Sequence, residues 1–232
     1  MSSDNNDLKI TKKIMAGCID HTNLRAEATT KDIIRLCHEA VQFDFVSVCI
    51  NPLYVPLAFQ RLSDTGVKVC TVIGFPLGAT NTDTKVYETK LAVVQGAREI
   101  DMVIRVGDLK EEKIDSVTWD IADVVRNARE INKEVIVKVI IETCLLTDVE
   151  KVRACQLAEV AGANYVKTST GFGGGGATLA DVKMMRSTVK PETGVKASGG
   201  IRSAAQAVEF LQAGATRIGT SSGIQILQEI QE

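Results

Sequence analysis

Four ionisable residues lie in apolar segments, where charge is costly: Asp101 in EIDMVI, Lys138 in VIVKVII, Lys167 in YVKTST and Lys196 in GVKASG. Such residues are almost never fully buried without a partner. One strand lysine is readily explained as a stem on apolar surface with its head in water. Four charges in four successive apolar segments imply a cluster instead. Crowded cations and desolvation both disfavour a protonated amine. A free lysine amine is a nucleophile that forms a Schiff base with a carbonyl. The resulting iminium is an electron sink for making or breaking a carbon–carbon bond. Asp101, with a second lysine or a water, would carry the protons.

A second group of residues suits an anion. ASGGIRS (197–203) and GTSSG (219–223) each follow an apolar segment. Gly199 and Gly200 let backbone N–H groups approach a phosphate, Ser221 and Ser222 sit where a helix would start, and Arg202 adds charge. Plain turn chemistry and an N-cap would explain the same glycines and serines. Asp20 and Thr22, in IDHT, are expected at the same rim, where they could bind substrate hydroxyls or cap a turn. Thr168 and Thr170 are candidates for the same task. Cys49 either lines the pocket or packs as a core thiol. The histidines are His21 and His38. Two are too few for a zinc aldolase that relies on several histidine ligands.

The elements that must position these residues can be read from the pattern. Eight short segments read as strands buried on both faces: 17–20, 45–50, 68–73, 99–104, 134–141, 165–170, 194–199 and 216–221. Amphipathic helical patterns fall at 29–41, 54–62, 81–95, 114–131, 148–161, 179–189 and 204–213, with Gly162 and Gly214 as stops. Strands alternating with helices imply parallel pairing. Eight units in a chain of 232 residues predict an α/β fold, a single (β/α)8 TIM barrel over 1–232 with a short polar N-terminal extension. An open doubly wound sheet fits less well, because DHTNL follows the first strand where that fold places glycines. Barrel chemistry collects at the C-terminal strand ends, and barrel phosphate sites use the loops after strands seven and eight.

Composition excludes several classes. The net charge is −2 and aromatic residues are 4%, so there is neither the basic run nor the stacking platform of a nucleic-acid binder. No apolar stretch is long enough to span a membrane. The six cysteines form no CxxC pair and sit in apolar segments, which suggests buried thiols in a reducing compartment. A cytoplasmic protein is expected.

IDHTNLRAEAT, EIDMVI, VKVIIETCLL, VKTSTGF and VKASGGIR, in this order, resemble the signatures of the class I deoxyribose-phosphate aldolase family over about 19–222. The resemblance implies a barrel that reversibly cleaves 2-deoxy-D-ribose 5-phosphate into acetaldehyde and D-glyceraldehyde 3-phosphate, in deoxynucleoside breakdown. It implies Lys167 as the Schiff-base lysine, Lys196 as the lysine that tunes it, and Asp101 as proton donor and acceptor. Lys138 is implied as a supporting charge, and Gly199, Gly200, Arg202, Ser221 and Ser222 as the phosphate site. It also implies no metal, no cofactor, and a homodimer or homotetramer. Two departures stand out: Phe172 replaces a lysine found in some members, and 173–176 is all glycine. The glycine run is expected to be a mobile rim loop. Two other functions remain open: a different Schiff-base phosphosugar aldolase or transaldolase, and an inactive barrel that only binds phosphorylated ligands or partners.

Overall fold

The computed structural model describes residues 10–231, so most of the polar N-terminal extension lies outside the described residues. Eight parallel strands close into a barrel in chain order, β8 pairing with β1. They are β1 (Ile19–Asn23), β2 (Ser47–Ile50), β3 (Lys68–Ile73), β4 (Glu99–Val103), β5 (Ile136–Ile140), β6 (Tyr165–Lys167), β7 (Gly194–Ser198) and β8 (Arg217–Thr220). The expected (β/α)8 architecture is the one found.

The surrounding helices are α1 (Lys12–Ala16), α2 (Thr30–Gln42), α3 (Val55–Leu62), α4 (Thr82–Val94), α5 (Val106–Lys110), α6 (Ile114–Ile131), α7 (Asp148–Val160), α8 (Leu179–Thr188), α9 (Ala204–Gln212) and α10 (Gly223–Glu229). Local chemistry starts several of them. Thr29 with Asp32, and Thr147 with Glu150, form reciprocal capping boxes for α2 and α7. Thr178 and Ser203 cap α8 and α9. The short helices α1 and α5 carry too few apolar repeats to register in the sequence pattern.

Only β3 keeps its expected bounds; most strands are trimmed by one or two residues, and two depart further. β1 begins and ends later, so Thr22 is a strand residue. β6 is three residues long, not six, because the chain leaves the ladder after Lys167. Helix α4 also departs from its apolar pattern. Leu91 and Val94 are exposed, whereas Lys85 is fully buried. The Lys85 ammonium reaches Asp120 of α6 at 2.5 Å and the Val103 carbonyl at 2.9 Å. A buried ion pair needs such partners to offset desolvation.

The main apolar core lies between the barrel and its helices, built from residues such as Ile33, Phe45, Ile100, Val124, Val166 and Ile218. The interior of the barrel is different. Aliphatic layers normally fill that space, but here one wall is charged. A smaller apolar cluster of Leu24, Cys49, Cys70 and Val72 abuts it, with Cys70 touching Asp101. Large inward side chains fit because small residues face them: a Cβ at Gly194 would lie 2.2 Å from the Tyr165 ring.

Candidate active site

Lys167 is the last residue of β6, and its register partner on β7 is Lys196. Asp101 on β4 is the register partner of Lys138 on β5. Neighbouring parallel strands lie about 4.8 Å apart, so long inward stems converge. Asp101 Oδ2 accepts hydrogen bonds from Lys167 Nζ at 2.8 Å and Lys196 Nζ at 2.6 Å. Its Oδ1 accepts from Lys138 Nζ at 2.8 Å. The four groups inferred from the sequence therefore meet on one carboxylate.

Beneath them lies a layer that strand patterning left unassigned. Arg217 of β8 donates to Asp20 at 2.6 Å and to both oxygens of Glu99, and it stacks 5.5 Å from the Tyr165 ring centroid. Glu99 also takes Lys138 Nζ at 2.6 Å. Period-2 alternation puts Glu99 on the same face as Asp101, and that signal was available in the sequence.

These contacts set the charge states. Burial pushes the Asp101 carboxyl up, but Lys138, Lys167 and Lys196 overcome it and hold it well below the usual carboxylate range. Asp20 is lowered in the same way by Lys196, Lys138 and Arg217. Burial pulls Lys196 down, yet Asp101 and Asp20 raise it above an ordinary lysine. Lys138 is raised likewise, chiefly by Asp101. Two anions and two cations are thus fixed in place under Lys167.

A cavity of about 820 Å³ opens at the C-terminal strand ends and reaches Lys167. Thr22, Thr170, Gly199, Gly200, Arg202, Ser221 and Ser222 also line it. Gly199 and Gly200 have φ of +91° and +81°, a conformation that favours glycine.

Six other candidates do not line this cavity. Asp101 and Lys196 are fully buried directly beneath Lys167, joined to it through Asp101 Oδ2. Asp20 was expected at the rim but is buried in the barrel interior, where it accepts from Ser47 at 2.8 Å and also takes Lys196. Its position two residues before Thr22 sets it one layer deeper. Lys138 is buried among Glu99, Asp101 and Asp20. Cys49 is buried in the small apolar cluster. The Thr168 hydroxyl is spent on β7, donating to the Ser198 carbonyl and accepting from its N–H, both at 3.1 Å.

Two residues with geometry of interest escaped the sequence reading. Glu142 is buried with φ +54°, and its carboxylate accepts from the Thr170 backbone N–H at 3.2 Å and from the Thr170 hydroxyl. His21 lines the cavity, contacts Glu39 at 2.8 Å through Nε2, and has no partner at Nδ1 among the described residues. Burial lowers its pKa, only partly offset by Glu39, so the ring is neutral at pH 7. The glycine run also has a packing role: a Cβ at Gly175 would lie 2.5 Å from Cys144 Cβ, and one at Gly176 would lie 2.3 Å from the Gly199 carbonyl oxygen. Cys144 itself is exposed, against the expectation of uniformly buried thiols.

Ligand-type atoms gather in two places among the described residues: Cys49, Cys70 and Asp101, and Asp20, Cys70 and Glu99. Each triad lies within 4.8 Å and is buried.

Residues 14–229 match the model of the DeoC/LacD family aldolases. The chain belongs to this family. Among its relatives, the deoxyribose-phosphate aldolase of Carboxydothermus hydrogenoformans is 58% identical over 214 residues, covering 92% of this chain and 94% of the relative. That of Thermococcus kodakarensis is 55% identical over 221 residues, covering 94% and 98%. The tetrameric deoxyribose-phosphate aldolase from Aeropyrum pernix superposes with a TM-score of 0.89 at 34% identity, covering 98% of this chain and 97% of that one. The full-length match places the whole barrel in the family.

Proposed function

We propose that this chain is a deoxyribose-phosphate aldolase that works through a lysine Schiff base. Lys167 carries the reading: it is the buried lysine that ends a strand, opens on the cavity and holds one carboxylate among the described residues. The interior holds four basic groups, Lys138, Lys167, Lys196 and Arg217, against three acidic ones, Asp20, Glu99 and Asp101. Charge balances when one lysine is a free amine.

The Lys167 amine adds to the C1 aldehyde of 2-deoxy-D-ribose 5-phosphate, and water leaves as the iminium forms. A base removes the C3 hydroxyl proton, the C2–C3 bond breaks, and its electron pair flows into the iminium. D-Glyceraldehyde 3-phosphate departs. The enamine takes a proton at C2, and hydrolysis frees acetaldehyde and Lys167. Asp101 with Lys196 moves the protons, directly or through water. Lys138 and Asp20 position these two. Because the iminium accepts the electrons, the steps draw on no metal or cofactor.

The phosphate is held by Gly199, Gly200, Arg202, Ser221 and Ser222, at the place barrels commonly use. Thr22 faces the sugar hydroxyls, whereas the Thr170 hydroxyl is held by Glu142 in the cavity wall. Asp20, Lys138, Cys49 and Thr168 are reassigned from substrate contact to support of the barrel interior, since none lines the cavity or shares the Asp101 Oδ2 contact with Lys167. The chain acts as one barrel unit.

No helix among the described residues is long and apolar enough to cross a membrane. We place the enzyme in the cytoplasm as a homodimer or homotetramer. Exposed Tyr87, Leu91 and Val94 on α4, with Trp119 on α6, offer an apolar face for self-association.

A retro-aldol assay coupled to glyceraldehyde 3-phosphate detection tests the activity. Borohydride with acetaldehyde should fix a two-carbon adduct on Lys167, and Lys167→Leu should abolish turnover while the chain stays folded. An adduct on another lysine, or none, would overturn the assignment.

A further inference from the structure

We infer that Cys49, Cys70 and Asp101 form an inhibitory site for one thiophilic divalent cation of the Zn²⁺ or Cd²⁺ class. Cys49 on β2 and Cys70 on β3 are direct register partners, both pointing into the barrel. Cys70 Sγ donates to Asp101 Oδ1 at 3.2 Å. All three ligand atoms lie within 4.8 Å of one another. A tetrahedral cation with bonds of about 2.3 Å to sulfur and about 2.0 Å to oxygen spaces its ligands about 3.5 Å apart. The existing spacing therefore needs little change.

The exchange also balances. The cation enters along the line of the Cys70 S–H···O contact, two thiol protons leave to solvent, and the two thiolates cancel the incoming charge. The charge of the barrel interior is unchanged, so the neighbouring lysines gain no new repulsion overall. Lys138 Nζ donates to Asp101 Oδ1 at 2.8 Å and to Cys70 Sγ at 3.3 Å, so it gives up the sulfur contact and keeps Glu99 when the cation enters. Sulfur ligands select soft cations over magnesium or calcium. The second triad, with Asp20 and Glu99, offers only one sulfur, and both its carboxylates are taken by Arg217. Leu24 belongs both to the cavity wall and to the cluster that holds the thiols, so the site lies one side chain behind the cavity.

Filling the site ties up the carboxylate that serves Lys167. The inhibitory half of the inference rests on the aldolase reading; the binding half does not. The test titrates the intact chain with Cd²⁺, following the ultraviolet thiolate-to-cadmium charge-transfer band, binding heat and retro-aldol rate together. One cation per chain should bind as activity is lost, and EDTA should reverse both. Cadmium-soaked crystals should show an anomalous peak between Cys49 and Cys70. Cys70→Ser keeps a hydroxyl donor toward Asp101 but loses the soft ligand, and its Cd²⁺ affinity should fall at least about tenfold. The control Cys144→Ser, at the exposed thiol, should leave the affinity unchanged. No uptake, a band that survives Cys70→Ser, or a peak at Cys144 overturns the site. Uptake at Cys49 and Cys70 with full activity overturns the inhibition. A chain inactive before cadmium is added, yet loaded at this pair, supports the site and counts against the aldolase reading.

Discussion

Lys167 and Lys196 share one oxygen: their Nζ atoms lie 2.8 Å and 2.6 Å from Asp101 Oδ2. Any gain or loss of a proton at one is therefore felt by the other through a single atom. Asp101→Asn keeps the shape and removes the charge. Retro-aldol kcat should fall about 10²- to 10⁴-fold, the usual worth of a positioned proton carrier. The fold should lose about 3–5 kcal/mol, because the buried Lys138 and Lys196 ammonium groups lose a counter-ion. Coupled turnover and denaturant titration measure the two effects. Full turnover in the variant would remove Asp101 from the mechanism.

A second buried pair separates stability from chemistry. Lys85 and Asp120 are both fully buried, 2.5 Å apart, and line no part of the cavity. Asp120→Asn leaves an unbalanced ammonium between α4 and α6. Stability should fall by about 3 kcal/mol, with kcat and KM for the phosphosugar unchanged at 25 °C. A change in kcat larger than the loss of folded protein would show that this pair reaches the site.

The charged wall was legible because charge in apolar strands is rare. EIDMVI, VIVKVII, YVKTST and GVKASG each carry one anomalous residue, and strand alternation turns them inward. Glu99 and Arg217 stand at strand starts, where a charge passes for a solvated end; alternation places Glu99 on the Asp101 face, but only the fold brings Arg217 to it. Lys85 was invisible for another reason. A lysine in a helix normally marks the solvent face, and only the fold reveals Asp120 across from it. Glu142 was unreadable too, since its φ of +54° follows from the loops around it and not from its neighbours in the chain.

The glycine run divides by what surrounds each residue. Gly176 packs on the backbone of Gly199, which lines the proposed phosphate pocket, whereas nothing lies near a Cβ at Gly174. Gly176→Ala must displace the Gly199 peptide. KM for 2-deoxy-D-ribose 5-phosphate should rise about tenfold, while the rate with unphosphorylated 2-deoxyribose changes little. Gly174→Ala meets only its φ of +85°, a cost of about 1 kcal/mol in folding. Equal effects on both sugars would detach the run from phosphate binding.

Stability should fall in acid in two stages. His21 is held neutral by burial, below its ordinary value of 6.5. Just below that pH the unfolded chain takes up a proton that the folded ring refuses, so stability drops as pH falls. Asp20 and Asp101 are held below the ordinary carboxylate value of 3.8. Their contribution is whole above that pH and is lost as acid protonates them. On the alkaline side Lys138 and Lys196 are raised above 10.5, so their contribution persists to that pH and fades only above it. Denaturant midpoints measured across pH should stay level from about 7 to 8, decline in acid, and decline again above about 9, where the unfolded chain sheds thiol protons that burial keeps on Cys37, Cys70 and Cys155. His21→Gln removes the first titration, so its curve should be flatter between pH 6.5 and 5 than that of the unaltered chain, with the later decline intact. Parallel curves over that interval would assign the early loss to some other group.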